Sequence, residues 1–268
     1  MPDQHPETTV VFPGERADTS WHSFDVSALY YDLLRGGQHD ALGPYVARRG
    51  DVVIDIGAGT GQLAVQLAHN GVTVVALEPN DVMRSVLLGR LAIDPDARRH
   101  VTVLPFAGED DWTPAGPAMP PTRSVDVAVL HGVIHMLDPT RRHRTFENAA
   151  RRLRDNGVLL ITGVSDTPVA VDIPLGHIDV GALTITGRLV TNETHGEWTT
   201  TVEYVTTSDN QTLWTETARY TSFAPTVATI TDQLRDAGLR VIWSGRLSDY
   251  DTIAASRHGT WAPHQYEI

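Results

Sequence analysis

Four groups of residues in this chain have the types and spacing to do chemistry. The run Asp55-Ile56-Gly57-Ala58-Gly59-Thr60-Gly61 sets glycine at alternate positions after one acid. Glycines there let the backbone turn sharply and approach a ligand with no Cβ in the way, and the amides that open the next helix favour an anionic or nucleotide-like group. Glu78-Pro79 begins seventeen residues beyond Gly61, where an acid in parallel sheets accepts hydrogen bonds from ribose hydroxyls. Gly108-Glu109-Asp110 forms a second acidic cluster, and His131 and His135 flank one short stretch further on. Imidazole is the side chain best placed by its titration range to take a proton near neutral pH.

Composition removes several alternatives. The 268 residues contain no cysteine, and all 21 basic residues are arginine. Thiolate nucleophiles, disulfides, cysteine-ligated metals and iron–sulfur clusters are excluded, and without lysine so is a Schiff base. With 33 acids the formal charge is −12, and no clustered basic face is evident, which argues against nucleic-acid binding. A small-molecule partner fits better. No apolar run is long enough to span a membrane, and the first residues lack a basic start and apolar core, so a cytoplasmic protein is expected. Histidines and acids do not cluster at metal-ligand spacing, and no metal site is expected.

The elements that must position these groups alternate in type. Residues 1–20 mix Pro, Asp, Thr and Gly and read as a mobile arm, with order starting near Trp21 and one domain spanning 21–268. A helix from Ser23 should stop at Gly36-Gly37, and a short one should cover Asp40 to Arg49. Strands are predicted at Val52–Ile56, from Val72, at His100–Phe106, at Val125–Leu130 and at Val158–Thr162. Helices are predicted after the glycine turn, at Asp81–Leu91, and from Asp138-Pro139 to Arg154, where Asn156-Gly157 should stop the chain. Prolines 114, 117, 120 and 121 argue against a long helix over 110–123. This alternation signifies a doubly wound, mostly parallel sheet of seven strands. Beyond Gly163 three polar-apolar alternating stretches, Leu183–Thr191, Trp198–Thr207 and Leu213–Phe223, form an antiparallel meander, an insertion at about 175–223, with a turn at His195-Gly196. A helix at Thr226–Ala237 and strands at Arg240–Arg246 and Thr252–Arg257 follow. The arginine runs 98–99 and 141–144 read as solvated helix ends.

The order Asp55-x-Gly57-x-Gly59-x-Gly61, Glu78-Pro79, Gly108-Glu109-Asp110, Ser124-Val125-Asp126-Val127 and Leu153-Arg154-Asp155-Asn156-Gly157-Val158-Leu159 resembles the successive motifs of class I S-adenosylmethionine-dependent methyltransferases. The dinucleotide fingerprint wants two residues before its last glycine, so a dehydrogenase fits less well. The resemblance implies S-adenosylmethionine as cofactor. Gly57, Ala58, Gly59 and Gly61 would pass near its methionine part, with Asp55 orienting that loop. Glu78 and Pro79 would hold the ribose, Met83 would pack on the adenine, and Gly108 with Glu109 or Asp110 would face its amine. His131 would sit beside the sulfonium, and Tyr30, on the helix that covers the cofactor in small-molecule members, would either reach the cofactor carboxylate or pack its helix against the fold. Asp155-Asn156 precedes its strand, unlike the acid and amide of metal-dependent catechol-type members.

The implied reaction is methyl transfer to an O, N or C nucleophile of a small metabolite in natural-product biosynthesis, with His131 and His135 as candidate bases. Trp198, Tyr204, Trp214 and Tyr220 of the insertion read first as core or interface aromatics, with the lining of an apolar substrate pocket as the alternative, and similar insertions suggest a homodimer. Two alternatives share the cofactor motifs or dispense with chemistry. One is a cyclase or pericyclase that keeps the cofactor as scaffold, and the other is a non-catalytic binding or assembly protein.

Overall fold

The computed structural model describes residues 24–35, 42–164, 170–194, 197–247 and 250–258. The arm at 1–20, the start near Trp21, the Gly36-Gly37 stop and the His195-Gly196 turn lie outside the described residues. The described chain runs α1 (Asp25–Arg35), α2 (Leu42–Ala47), β1 (Val52–Ile56), α3 (Gln62–His69), β2 (Thr73–Leu77), α4 (Asp81–Ile93), α5 (Pro95–Arg98) and β3 (Val101–Leu104). It continues through β4 (Val125–Leu130), α6 (Pro139–Arg152), β5 (Leu153–Thr162), an inserted β6 to β9, α7 (Val227–Asp236), β10 (Arg240–Leu247) and β11 (Tyr250–Ser256). The proline-rich segment makes only a 3-10 turn at Thr113–Ala118.

Seven strands form one sheet in the order β10-β11-β5-β4-β1-β2-β3. β1 pairs parallel with both β2 and β4, and only β11 and β10 run antiparallel. Strand order reverses between β1 and β4, so the crevice beyond their carboxyl ends is where a ligand belongs. Alternate residues of these strands feed two cores. Ile54, Leu130, Leu159 and Phe146 pack on one side of the sheet, and Val53, Val127, Leu160 and Leu67 on the other. Burial on both faces explains the unbroken apolar runs, and each large side chain fully buried contributes about 1.5–3 kcal/mol.

The acid in the otherwise apolar β4 serves the far end of the sheet. Asp126 Oδ2 accepts the amides of Asp51 (2.7 Å) and Val52 (2.9 Å), while Oδ1 pairs with Arg154 at 2.7 Å. That pairing corrects the expected helix end. α6 stops at Arg152, and Leu153 to Gly157 belong to β5. The ladder with β4 shifts between Val125 and Val127, and a Cβ on Gly157 would lie 2.8 Å from the Val125 carbonyl oxygen. Gly157 therefore permits a close strand approach instead of ending a helix. Asp155-Asn156 lies inside the strand, not before it.

The arginine run also departs from expectation. Arg142 is only 2% exposed and donates to Gln233 Oε1 (2.5 Å) and to the Leu137 carbonyl (3.1 Å), joining α6 to α7. Arg141 lies 3.7 Å from Glu109 and 3.5 Å from Asp138. These are partnered cations, not a solvated end.

The insertion has four strands, β6 (Val171–Val180), β7 (Leu183–Thr194), β8 (Glu197–Ser208) and β9 (Gln211–Ser222), paired in that order. Its first strand was not expected, because Pro174 and Gly176 break the pattern. β6 is an edge strand with an irregularity between those two residues, where proline is tolerated. Val202, Tyr204 and Ala218 of the inner face pack on Val26, Tyr30 and Leu34 of α1. No helix among the described residues is long and apolar enough to cross a membrane.

Candidate active site

The glycine turn is built by backbone hydrogen bonds. After β1 the amides of Gly57 and Ala58 both donate to the Leu77 carbonyl (2.8 and 3.0 Å), and Gly61 donates to Ala58 (2.9 Å) before α3 begins. Gly59 has φ 57°, and a Cβ placed on it would meet nothing within 4 Å. Its amide donates to Glu78 Oε2 at 2.7 Å, and Glu78 Oε1 accepts the Asn80 amide at 2.7 Å. Glu78 at 6% exposure and Asp55 at 2% put two carboxylates under the turn. Asn80 caps α4, its side chain accepting the Met83 amide at 2.8 Å.

Helix α1 is strapped across this turn. Asp32 Oδ1 accepts Thr60 Oγ1 (2.8 Å) and Gln62 Nε2 (2.7 Å), its other oxygen pairs with Arg90, and Asp25 accepts Asn80 Nδ2 at 2.6 Å. Sequence reasoning missed these anchors. Asp25 and Asp32 stand seven residues apart, on one face of a helix, and that spacing was the available signal. Phe24, Ser27 and Tyr31 share a cavity-lining face at the same period.

Tyr30 lies off that face. Its hydroxyl donates to Glu216, and its ring stacks on Tyr204 at a centroid distance of 4.6 Å. Burial, then the Glu216 carboxylate, raise its phenol above the ordinary 10.0. A raised pKa means the folded state holds the proton more tightly. The stabilisation is therefore fully present at neutral pH and lost as pH rises through the raised value. Tyr30→Phe keeps the stack, and because the group is partly exposed it should cost only about 1 kcal/mol in thermal melts. Affinity for S-adenosylhomocysteine should change less than about twofold, since hydrogen bonding to Glu216 turns the hydroxyl toward the insertion.

The glycine turn opens into a cavity of about 540 Å³, within the usual range for ligand pockets. Of the predicted residues, Asp55, Gly57, Ala58, Gly59, Glu78, Pro79, Met83, Gly108, His131 and His135 line it. Tyr30, Gly61, Glu109 and Asp110 do not. Asp110 folds back to accept the Ala107 amide at 2.7 Å, and Glu109 faces Arg141, so the third strand end offers the Ala107-Gly108 backbone to the cavity. A Cβ on Gly61 would lie 2.0 Å from Leu87, so that glycine packs against the core. Tyr204 and Tyr220 line the cavity, whereas Trp214 is 44% exposed and Trp198 is absent from the wall.

His131, just past β4, is fixed by β5: its Nδ1 lies 2.8 Å from Thr162 Oγ1, which also accepts the Gly132 amide at 3.1 Å. Thr162 is a further residue that sequence reasoning did not single out. His135 sits in a 3-10 turn (Ile134–Met136), its carbonyl accepting the Phe223 amide at 2.7 Å and its ring 6.3 Å from that of Tyr220. It thus stands where the β4 loop meets the insertion.

The arrangement fits a nucleoside carrying a charged amino-acid tail. An open position at Gly59 gives backbone access, and Glu78 retains acceptor capacity for hydroxyls while holding two amides, because a carboxylate offers about four lone-pair sites. Glu78→Gln tests that design. A carboxamide has one oxygen for two amide donors, so one N–H would face an NH₂. The variant should bind S-adenosylhomocysteine about tenfold more weakly and melt about 1–3 kcal/mol less stable. Wild-type affinity by calorimetry would rule Glu78 out as a ligand-binding group. Among the described residues no three His, Asp or Glu side chains group as a metal site would require.

Residues 54–159 match a family model described as a methyltransferase domain. Two curated relatives, uncharacterised methyltransferases of Mycobacterium tuberculosis and Mycobacterium bovis, are each 35% identical over 143 residues. The match covers 52% of this chain and 49% of each relative, so the chain spans about half the length of the curated relatives it matches. Among solved structures, the methyltransferase CcbJ from Streptomyces caelestis superimposes with a TM-score of 0.68 at 17% identity, covering 89% of this chain and 98% of that one. SAM-bound CalS10, an amino pentose methyltransferase of calicheamicin biosynthesis from Micromonospora echinaspora, gives 0.69 at 15% identity, with 87% and 96% covered. The sugar N-methyltransferase KedS8 from Streptoalloteichus gives 0.63 at 17% identity, with 96% and 99% covered.

Proposed function

We propose that this chain, which has the class I S-adenosylmethionine-dependent methyltransferase fold, binds S-adenosylmethionine at the glycine turn and methylates a small metabolite of a natural-product pathway. The observation that carries the reading is one cavity reaching from Gly59 and Glu78 to the inner face of the insertion, with His131 and His135 on its wall. When bound, the cofactor supplies a methyl group already activated on a sulfonium.

The chain's own residues then have limited work. Gly57 to Gly59 and Asp55 position the amino-acid end, Glu78 takes the ribose, and Met83 with the Ala107-Gly108 backbone flanks the base. His131, held by Thr162, stands at the sulfonium end. His135 takes the acceptor's proton where the nucleophile carries one. Helix α1 and the insertion exclude water, which matters because alignment and desolvation supply most of the rate.

The test has two stages. Calorimetry should detect S-adenosylhomocysteine binding, and its absence would remove the cofactor from the reading. Turnover of S-adenosylmethionine with an acceptor should then release S-adenosylhomocysteine in step with product. Product formed without it would identify a scaffold role for the cofactor and overturn methyl transfer.

A further inference from the structure

Ala107 and Gly108 bring four backbone groups to the cavity wall beyond β3, and three of them are engaged elsewhere. The Ala107 amide donates to Asp110 Oδ2 at 2.7 Å. Its carbonyl accepts the Trp112 indole Nε1 at 2.9 Å, inside the core, where Trp112 is 3% exposed. The Gly108 carbonyl accepts Asn148 Nδ2 at 2.9 Å, and the same NH₂ group donates to the Asp110 carbonyl at 2.8 Å. An amide nitrogen carries one hydrogen for each of two carbonyls, so Asn148 reaches from α6 and ties both ends of the loop.

The fourth group is the Gly108 amide, and its direction follows from the others. The Ala107–Gly108 peptide is trans, so its N–H and C=O point opposite ways. With the carbonyl aimed at the buried indole of Trp112, the N–H is aimed away from it, and Gly108 lines the cavity. The glycine is also hemmed in on its other flank, since a Cβ there would lie 2.7 Å from Thr145 and 2.9 Å from Ile56. The loop thus offers the cavity one donor while its carbonyls are turned to Trp112 and Asn148. Neither of those side chains lines the cavity, so each acts through the loop.

Resting on the S-adenosylmethionine reading, we propose that Trp112 and Asn148 are positioning residues for the cofactor's nucleobase, holding the Gly108 amide as a donor to the ring nitrogen N1. On that reading Glu78, at the end of β2, takes the ribose, and β3 is the neighbouring strand, about 4.8 Å away. A purine leaving the ribose toward β3 presents its far edge there, and the ring atom on that edge with a free lone pair is N1. N3 lies on the ribose side. A carbonyl in the place of the amide would oppose the N1 lone pair, so the two side chains that hold the carbonyls away decide whether the base is accepted.

Calorimetry on the full chain with S-adenosylhomocysteine and its 1-deaza and 3-deaza analogues, in which one ring nitrogen becomes C–H, tests this. The wild type should bind the 1-deaza analogue at least about tenfold more weakly than the parent, and the 3-deaza analogue within about threefold of it. In Asn148→Ala and in Trp112→Phe the parent should weaken about tenfold and the 1-deaza analogue less than about threefold, so the preference for N1 collapses. A merely structural role would weaken all three ligands alike and keep the preference. That result, or variants that bind as the wild type does, would overturn the two assignments. Wild-type binding of the 1-deaza analogue as tight as the parent would overturn the whole inference, as would a loss confined to the 3-deaza analogue. Alanine favours a helix, so Asn148→Ala decides on its own if Trp112→Phe does not fold. No S-adenosylhomocysteine binding by the wild type would remove the cofactor reading, whereas binding without an N1 preference removes only this inference.

Discussion

Gly59→Leu is expected to abolish S-adenosylhomocysteine binding, weakening it about a thousandfold or more, in a protein that still folds. The residue has φ 57°, and a Cβ there points into space with nothing within 4 Å. A leucine would therefore extend into the cavity, where a ligand must lie against the backbone. The left-handed conformation costs an L-residue about 1–2 kcal/mol, small against a typical domain stability of 5–15 kcal/mol. A thousandfold loss of affinity is about 4 kcal/mol. Gly61 makes the contrast. A Cβ there would lie 2.0 Å from the fully buried Leu87, so Gly61→Leu should lower the melting temperature sharply. Calorimetry and thermal melts on the pair separate a ligand cradle from a packing glycine. A folded Gly59→Leu with wild-type affinity would show that no ligand approaches this turn.

What was legible in the sequence follows from how local the cause is. β1, β2 and β4 are runs buried on both faces, and the glycines that end β1 act within a few residues, so the turn and its sheet position could be read directly. Leu153–Gly157 could not, because its extended form depends on Asp126 reaching Arg154 and on the Val125 carbonyl crowding Gly157. Both partners lie about thirty residues away in sequence. β6 was hidden by Pro174, whose tolerance depends on the strand's being at an edge.

The site divides the same way. Spacing singled out Glu78, which lines the cavity, while its two amide partners were not foreseen, since they depend on the turn folding back over β2. Tyr30 and Tyr31 are one residue apart but about 100° apart around a helix, and only the neighbouring elements decide which faces the cavity. Arg142 looked solvated until α7 packed against it. Asp32 gains its importance only when α1 lies over Thr60 and Gln62. The strap also connects the two ends of the cavity, because α1 touches the glycine turn through Asp32 and the insertion through Tyr30. One helix thus ties the glycine turn to the insertion.

The two histidines should divide by function. His135→Ala is expected to lower kcat by about a hundredfold or more, the range for losing a general base, with S-adenosylhomocysteine affinity kept within about threefold. Its turn joins the insertion through Phe223, and its ring neighbours Tyr220, so it stands on the insertion side of the cavity. His131 is tied to the β5 end by Thr162, beside the glycine turn, and His131→Ala should weaken S-adenosylhomocysteine binding about tenfold as well as slow turnover. Wild-type kcat/KM should rise with pH as the base loses its proton, and that limb should disappear in His135→Ala. If it persists there and vanishes in His131→Ala, the base is His131, and the acceptor atom lies nearer the sheet edge than the insertion.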